Sequence, residues 1–179
     1  MDQETLRSNR SLLLFEGISF LVLGILAIAL PGFFTFAFEQ LLGWLFLFGG
    51  LIQAWRTFKT RHSPGTWASA LAALLAIVVG FLLLSRPMTG VLTLTIILTI
   101  SFLVEGILKI FMAASMREYI NWGWLLLSGI LALAMAAIIY SGWPGTALWV
   151  IGLLVGINML FFGYSLIILY SALGKEHNP

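Results

Sequence analysis

WGWLLLSGILALAMAAIIYSGWPGTALWVIGLLVGINMLFFGYSLI, residues 122–167, consists of two long apolar runs separated by the turn SGWPG. A bilayer's hydrocarbon core, about 30 Å thick, requires ~20 consecutive apolar residues in a helix, and each run meets that length. Proline cannot continue a helix but suits the first turn of the next one. The stretch therefore predicts a helical hairpin that crosses a membrane and returns.

The same pattern occurs twice more on the N-terminal side. Six apolar runs cover roughly 12–30, 33–55, 67–84, 91–114, 122–140 and 146–172. Runs 1 and 2 meet at LPG around Pro31, runs 3 and 4 at SRPMTG around Pro87, and runs 5 and 6 at SGWPG around Pro144. The two other connections, RTFKTRHSPGT and SMREYIN, are longer and polar. The expected fold is an all-α integral membrane protein of six transmembrane helices, arranged as three proline-turn hairpins in tandem repeat. One membrane domain spans 1–179, with repeats at about 12–58, 67–114 and 122–172.

Composition agrees. Hydrophobic residues make up 61% of the chain, charged residues 9%, and the mean hydropathy is +1.07, whereas soluble domains carry about 25% charged residues. The apolar runs leave too little length for a separate soluble catalytic domain. Cysteine is absent, which removes disulfides, thiolate nucleophiles and cysteine metal sites. A formal charge of +2 is better explained by membrane topology than by a nucleic-acid partner, and none is expected.

Lys and Arg concentrate on the cytoplasmic side of membrane proteins. Arg7, Arg10, Arg56, Lys59, Arg61, Arg117 and Lys175 share the end that holds the polar loops, with Lys109 close by, and Arg86 alone lies at the proline-turn end. Both termini are therefore expected in the cytoplasm. The first run is longer than the core of a secretory signal and leads straight into a second span, so it is expected to be retained.

The repeat extends to individual residues. Pro31, Pro87 and Pro144 are spaced by 56 and 57, and Gly50, Gly106 and Gly163 each follow their proline by 19. Seven residues earlier on the same helices stand Gly43, Thr99 and Gly156. On the odd-numbered helices, Gly17, Ala73 and Gly129 form one set, and Gly24, Gly80 and Ala136 form another. Small residues at such spacing allow close backbone approach, on which helix association in lipid depends. A GxxxG motif from Gly152 to Gly156 can seat a helix of the same chain or of another copy, which leaves a homo-oligomer open.

Three proline-turn hairpins ending in the 122–167 stretch resemble the HdeD-like acid-resistance membrane protein family of bacteria. The likeness covers almost the whole chain, and its motifs are glycine, proline and tryptophan placements. The resemblance implies a multi-pass protein of the bacterial inner membrane that supports survival under acid or envelope stress. It implies no catalytic residues. The expected role is a non-enzymatic scaffold or interaction module, in contact with the lipid bilayer and with a membrane or periplasmic protein partner of unknown identity.

Polar groups within the spans supply a rival reading, a small proton or solute channel. Glu105 lies ~12 Å inside the loop end of its helix, and Lys109 follows at i+4 in the favourable order. The pair is private to the middle repeat, because its counterparts are Gly49 and Gln53 in the first hairpin and Phe162 and Leu166 in the third. Glu105, Lys109, Glu16 and Asn158 are the candidate intramembrane site, with Asn158 also suited to hydrogen bonding across helices. Glu39, with Gln40 beside it, is expected to be solvated near the proline-turn boundary. His62 and His177, the only histidines, lie in a loop and a tail. No HExxH, GxSxG, P-loop or metal-ligand pattern occurs, so neither an enzyme nor a cofactor or metal is expected.

Overall fold

The computed structural model describes residues 10–59, 66–116 and 122–175. Arg7, Arg61, His62, Arg117 and His177 lie outside the described residues. Six long helices follow in order: α1 (Arg10–Ala29), α2 (Pro31–Lys59), α3 (Thr66–Ser85), α4 (Pro87–Ser115), α5 (Trp122–Ser141) and α6 (Val150–Lys175). All six are long and apolar enough to cross a membrane, and the described residues contain no strand. This is a multi-pass membrane protein.

Helix lengths repeat with the sequence. The odd helices have 20 residues each, whereas α2 and α4 have 29 and α6 has 26. At 1.5 Å per residue the odd helices match a core of about 30 Å, and the even ones exceed it by a few turns. Helices suit the bilayer because they satisfy every backbone group internally. Hydroxyls obey the same constraint: those of Ser19, Ser85, Thr93, Thr95, Thr99, Ser101, Ser115 and Ser165 each donate to the carbonyl four residues earlier.

Pro31 and Pro87 each open a helix, where a missing N–H leaves no gap. The third turn departs from the expectation that all three prolines act alike. Pro144, preceded by a cis peptide bond, leads into a 3-10 turn over Gly145–Leu148, so α6 starts at Val150 rather than near residue 146. The Thr146 hydroxyl donates to the Ile139 carbonyl at 2.7 Å and ties this turn to the end of α5.

The chain forms two compact units, one of residues 36–150 and the other of residues up to Thr35 and from Ile151 onward. In the first, a Cβ placed on Gly106 would come within 2.9 Å of the Gly129 carbonyl oxygen, and one on Gly129 within 3.0 Å of the Gly106 oxygen. These contacts join α4 to α5. Between α2 and α3, a Cβ on Gly50 would lie 2.8 Å from the Ile77 nitrogen and 3.1 Å from the Ala73 oxygen, and one on Gly80 2.8 Å from the Gly43 oxygen. In the second unit, α1 packs antiparallel to α6. There Gly17 faces Gly163 and Gly24 faces Gly156, with prospective Cβ-to-oxygen distances of 2.7–3.1 Å.

These close approaches have one design. Each seam pairs an odd with an even helix through small residues, and the α1–α6 and α2–α3 seams use two levels seven apart, the later level of one helix meeting the earlier level of the other. Two of the pairs are joined by polar loops, and the third brings together the first and last helices. Gly152, at the start of the GxxxG motif, is pressed against the backbone of Pro31, and its N–H donates to the Thr35 hydroxyl at 2.9 Å. That motif therefore seats a helix of the same chain.

Adjacent glycines in α2 provide a test. Gly50→Ala drives a methyl into the α3 backbone, which cannot yield as a flexible side chain can, and should destabilise the protein by ~1–3 kcal/mol. Gly49→Ala meets nothing within 4 Å and should be neutral or stabilising by up to ~1 kcal/mol through helix propensity. Thermal unfolding of both variants in detergent checks the contrast.

Candidate functional site

Glu105 and Lys109 are one turn apart on α4, and the Lys109 ammonium donates to Glu105 Oε1 at 2.5 Å. It also donates to the Ser128 hydroxyl on α5 at 2.9 Å. Glu105 is about half exposed at 48%, Lys109 less so at 30%, and Ser128 is partly buried. The arrangement is a compensated charge pair on the rim of the α4–α5 seam. Its geometry follows from that seam: with Gly106 opposite Gly129 in an antiparallel pair, the residue three after Gly106 comes alongside the one preceding Gly129. Gln53, the counterpart of Lys109 in the first repeat, makes the equivalent reach across α2 and α3 to the Ser69 carbonyl at 3.3 Å. Leu166 in the third repeat has no donor to offer.

The other two candidates are placed differently. Glu16 is exposed beside Gly17, and Asn158 is exposed two residues past Gly156. Gly17 faces Gly163 while Gly156 faces Gly24, so the two polar groups lie at different levels of the α1–α6 pair. Asn158 has no hydrogen-bond partner among the described residues, contrary to the expected interhelical bond. It occupies the outer surface of α6 rather than the glycine seam, because residue 158 is out of register with 156 and 163.

Glu39 corrects the sequence reading most sharply. Expected in solvent, it is fully buried at 0% exposure. Its Oε2 accepts a hydrogen bond from the Gln40 amide at 3.1 Å, and its Oε1 has no partner. Oε1 lies so close to Gly90 of α4 that a Cβ there would overlap it. The sequence did hold a signal. Glu39 is four residues before Gly43 and hence on the same helix face. Relative to the three prolines its counterparts are Thr95 and Gly152, both buried as well.

An open cleft of about 650 Å³ lies against α4 and α5, lined by Ile96, Thr99, Ile100, Tyr140, Ser141 and Trp143. Its walls are mainly apolar, and the Thr99 hydroxyl is already engaged with the Thr95 carbonyl. Among the described residues, no group of three His, Asp or Glu side chains could hold a metal ion.

Comparison with known proteins matches this repeat geometry. The family described as a short repeat of unknown function (DUF308) matches residues 15–85 and again 71–141, the second match displaced by the 56 residues that separate Pro31 from Pro87. The chain belongs to this family. Its similarity to Protein HdeD of Escherichia coli (strain K12) is 24% identity over 179 residues, covering 98% of this chain and 93% of that protein. Protein HdeD of Escherichia coli O157:H7 and of Shigella flexneri match to the same extent. The HdeD-like assignment and the internal repeat thus stand on the sequence family as well as on the helix register. No solved structure matches.

The ion pair yields a prediction for this membrane setting. Lys109→Met strands Glu105, and an unpaired charge in a span carries an insertion penalty of ~2.5–3.5 kcal/mol at most. Adding Glu105→Gln removes the stranded charge. The double variant should therefore recover more than half of the folded protein lost in Lys109→Met, measured by size-exclusion chromatography at equal expression.

Proposed function

We propose that this chain is a bacterial inner-membrane protein that supports resistance to acid or envelope stress without catalysing a reaction, as a scaffold or interaction module. The observation that carries the reading is the alignment with Protein HdeD along 98% of the chain. The HdeD-like family is associated with acid survival, and an end-to-end match transfers the whole six-helix body rather than one motif. The charge pattern supports placing both termini and the polar loops in the cytoplasm. A scaffold reading also suits Lys109, which bonds to both Glu105 and Ser128 within the chain. The working surroundings are the lipid bilayer and a membrane or periplasmic protein partner. Exposed apolar faces are also open to a second copy.

Topology and role are tested separately. Single cysteines at Thr66, Met116 and Gly145, introduced into a chain that has none, should react with an impermeant thiol reagent in intact cells only at Gly145. Labelling of Thr66 or Met116 from outside would invert the orientation. For the role, a bacterium lacking its own copy should regain acid survival when the chain is supplied, and Glu105→Gln should protect in proportion to its membrane level. A Glu105→Gln variant that accumulates normally but gives no protection would overturn the scaffold reading in favour of proton or solute transport.

A further inference from the structure

We propose that Glu39 is a proton-binding site, buried between α2 and α4. The inference does not rest on the stress-resistance reading.

Position gives the first reason. Glu39 is the ninth residue of α2 counted from Pro31, ~12 Å along the helix axis, and its exposure is 0%. Its Oε1 is the one buried side-chain polar atom without a hydrogen-bond partner among the described residues. Native structures rarely leave such an atom orphaned, and an orphan signals a missing ligand or a functional group.

Size and ligand count then select the ligand. Divalent cations such as calcium or magnesium require six or more oxygens at fixed distances, and among the described residues no carboxylate cluster accompanies Glu39. Nor is there room for a hydrated ion, because Oε1 occupies the space that any side chain at position 90 would need. A proton fits without further volume. It turns Oε1 into an O–H donor and leaves Oε2 free to keep the Gln40 bond.

The atoms that close on Oε1 among the described residues carry no charge. Gly90 faces the carboxyl from α4, and Leu83 of α3 closes on the same position, so neither packed element presents a titratable group there. Arg86 lies one turn before Gly90, but its side chain is exposed. Gln40 is only partly buried, and through its bond to Oε2 it is the polar group that connects the buried carboxyl with the edge of the site. The site is also single. The counterparts of Glu39 are Thr95, whose hydroxyl donates to the Val91 carbonyl, and Gly152, and neither can titrate.

Infrared spectroscopy of the whole protein in phosphatidylethanolamine–phosphatidylglycerol vesicles tests this. The spectrum, titrated from mildly alkaline to acid pH, should show a carboxylic C=O band resolved from those of the exposed acids. Its amplitude should correspond to one of the seven carboxyl side chains. Glu39→Gln, nearly isosteric, should abolish that band, whereas Glu16→Gln and Glu105→Gln should retain it. Persistence of the band in Glu39→Gln, or its absence from the unaltered protein, would overturn the proposal. Should Glu39→Gln fail to fold, Gly90→Ala places a methyl against Oε1 and should shift the band or its titration midpoint. A band indifferent to Gly90→Ala would equally overturn it.

Discussion

Close contact between helix backbones at small residues is the constraint from which the rest of this molecule follows. Lipid tails are as apolar as leucine, so burying leucine offers these helices little drive to associate, and packing at short range must supply it. Glycine against glycine brings an alpha carbon near the facing carbonyl, where many weak contacts, including Cα–H···O contacts, accumulate along the seam. Gly17 with Gly163, Gly24 with Gly156, Gly43 with Gly80, Gly50 with Ala73 and Gly106 with Gly129 meet in this way. The large side chains, such as Phe15, Leu45, Phe111 and Phe161, point away and remain exposed to what is a lipid solvent.

Polar groups in the spans are handled in two ways. On the rim of the α4–α5 seam, the Glu105 charge is met by Lys109, whose ammonium is itself steadied by Ser128. At the convergence of α2 and α4 a carboxyl is buried with one oxygen unanswered, against a glycine that alone leaves it space. The first arrangement is locally complete and accounts for itself structurally. The second is incomplete within the chain, and that is why chemistry is assigned to Glu39 rather than to the more conspicuous pair.

Helix number, the three turns and the repeat period were all legible in the sequence, because span length, proline and small-residue register are local signals. Which helices pair was not. A seam is a relation between two stretches, and Gly50 alone does not say whether its neighbour is Ala73 across the polar loop or a residue across the proline turn. Ser128 was missed for the same reason, since only the α4–α5 register brings it to Lys109. Glu39 was misjudged because its distance from the helix end was weighed and its helix face was not. Gly43, four residues on, already marked that face as buried. The 3-10 form of the third turn was not legible because Pro144 looks like Pro31 and Pro87, while the 3-10 turn after it depends on Thr146 reaching back to Ile139.

Pairing of the first helix with the last is the least obvious consequence of the seam rule, and it tests the account most directly. Phe20 of α1 and Phe162 of α6 meet edge to face with ring centroids 4.9 Å apart. In the chain's cysteine-free background, Phe20→Cys combined with Phe162→Cys should form a disulfide within one chain under mild oxidation in native membranes. Phe20→Cys with Phe161→Cys, whose side chain is 69% exposed, should remain largely uncrosslinked. Failure of the 20–162 pair to crosslink, or equal crosslinking of both pairs, would contradict the packing described for α1 and α6.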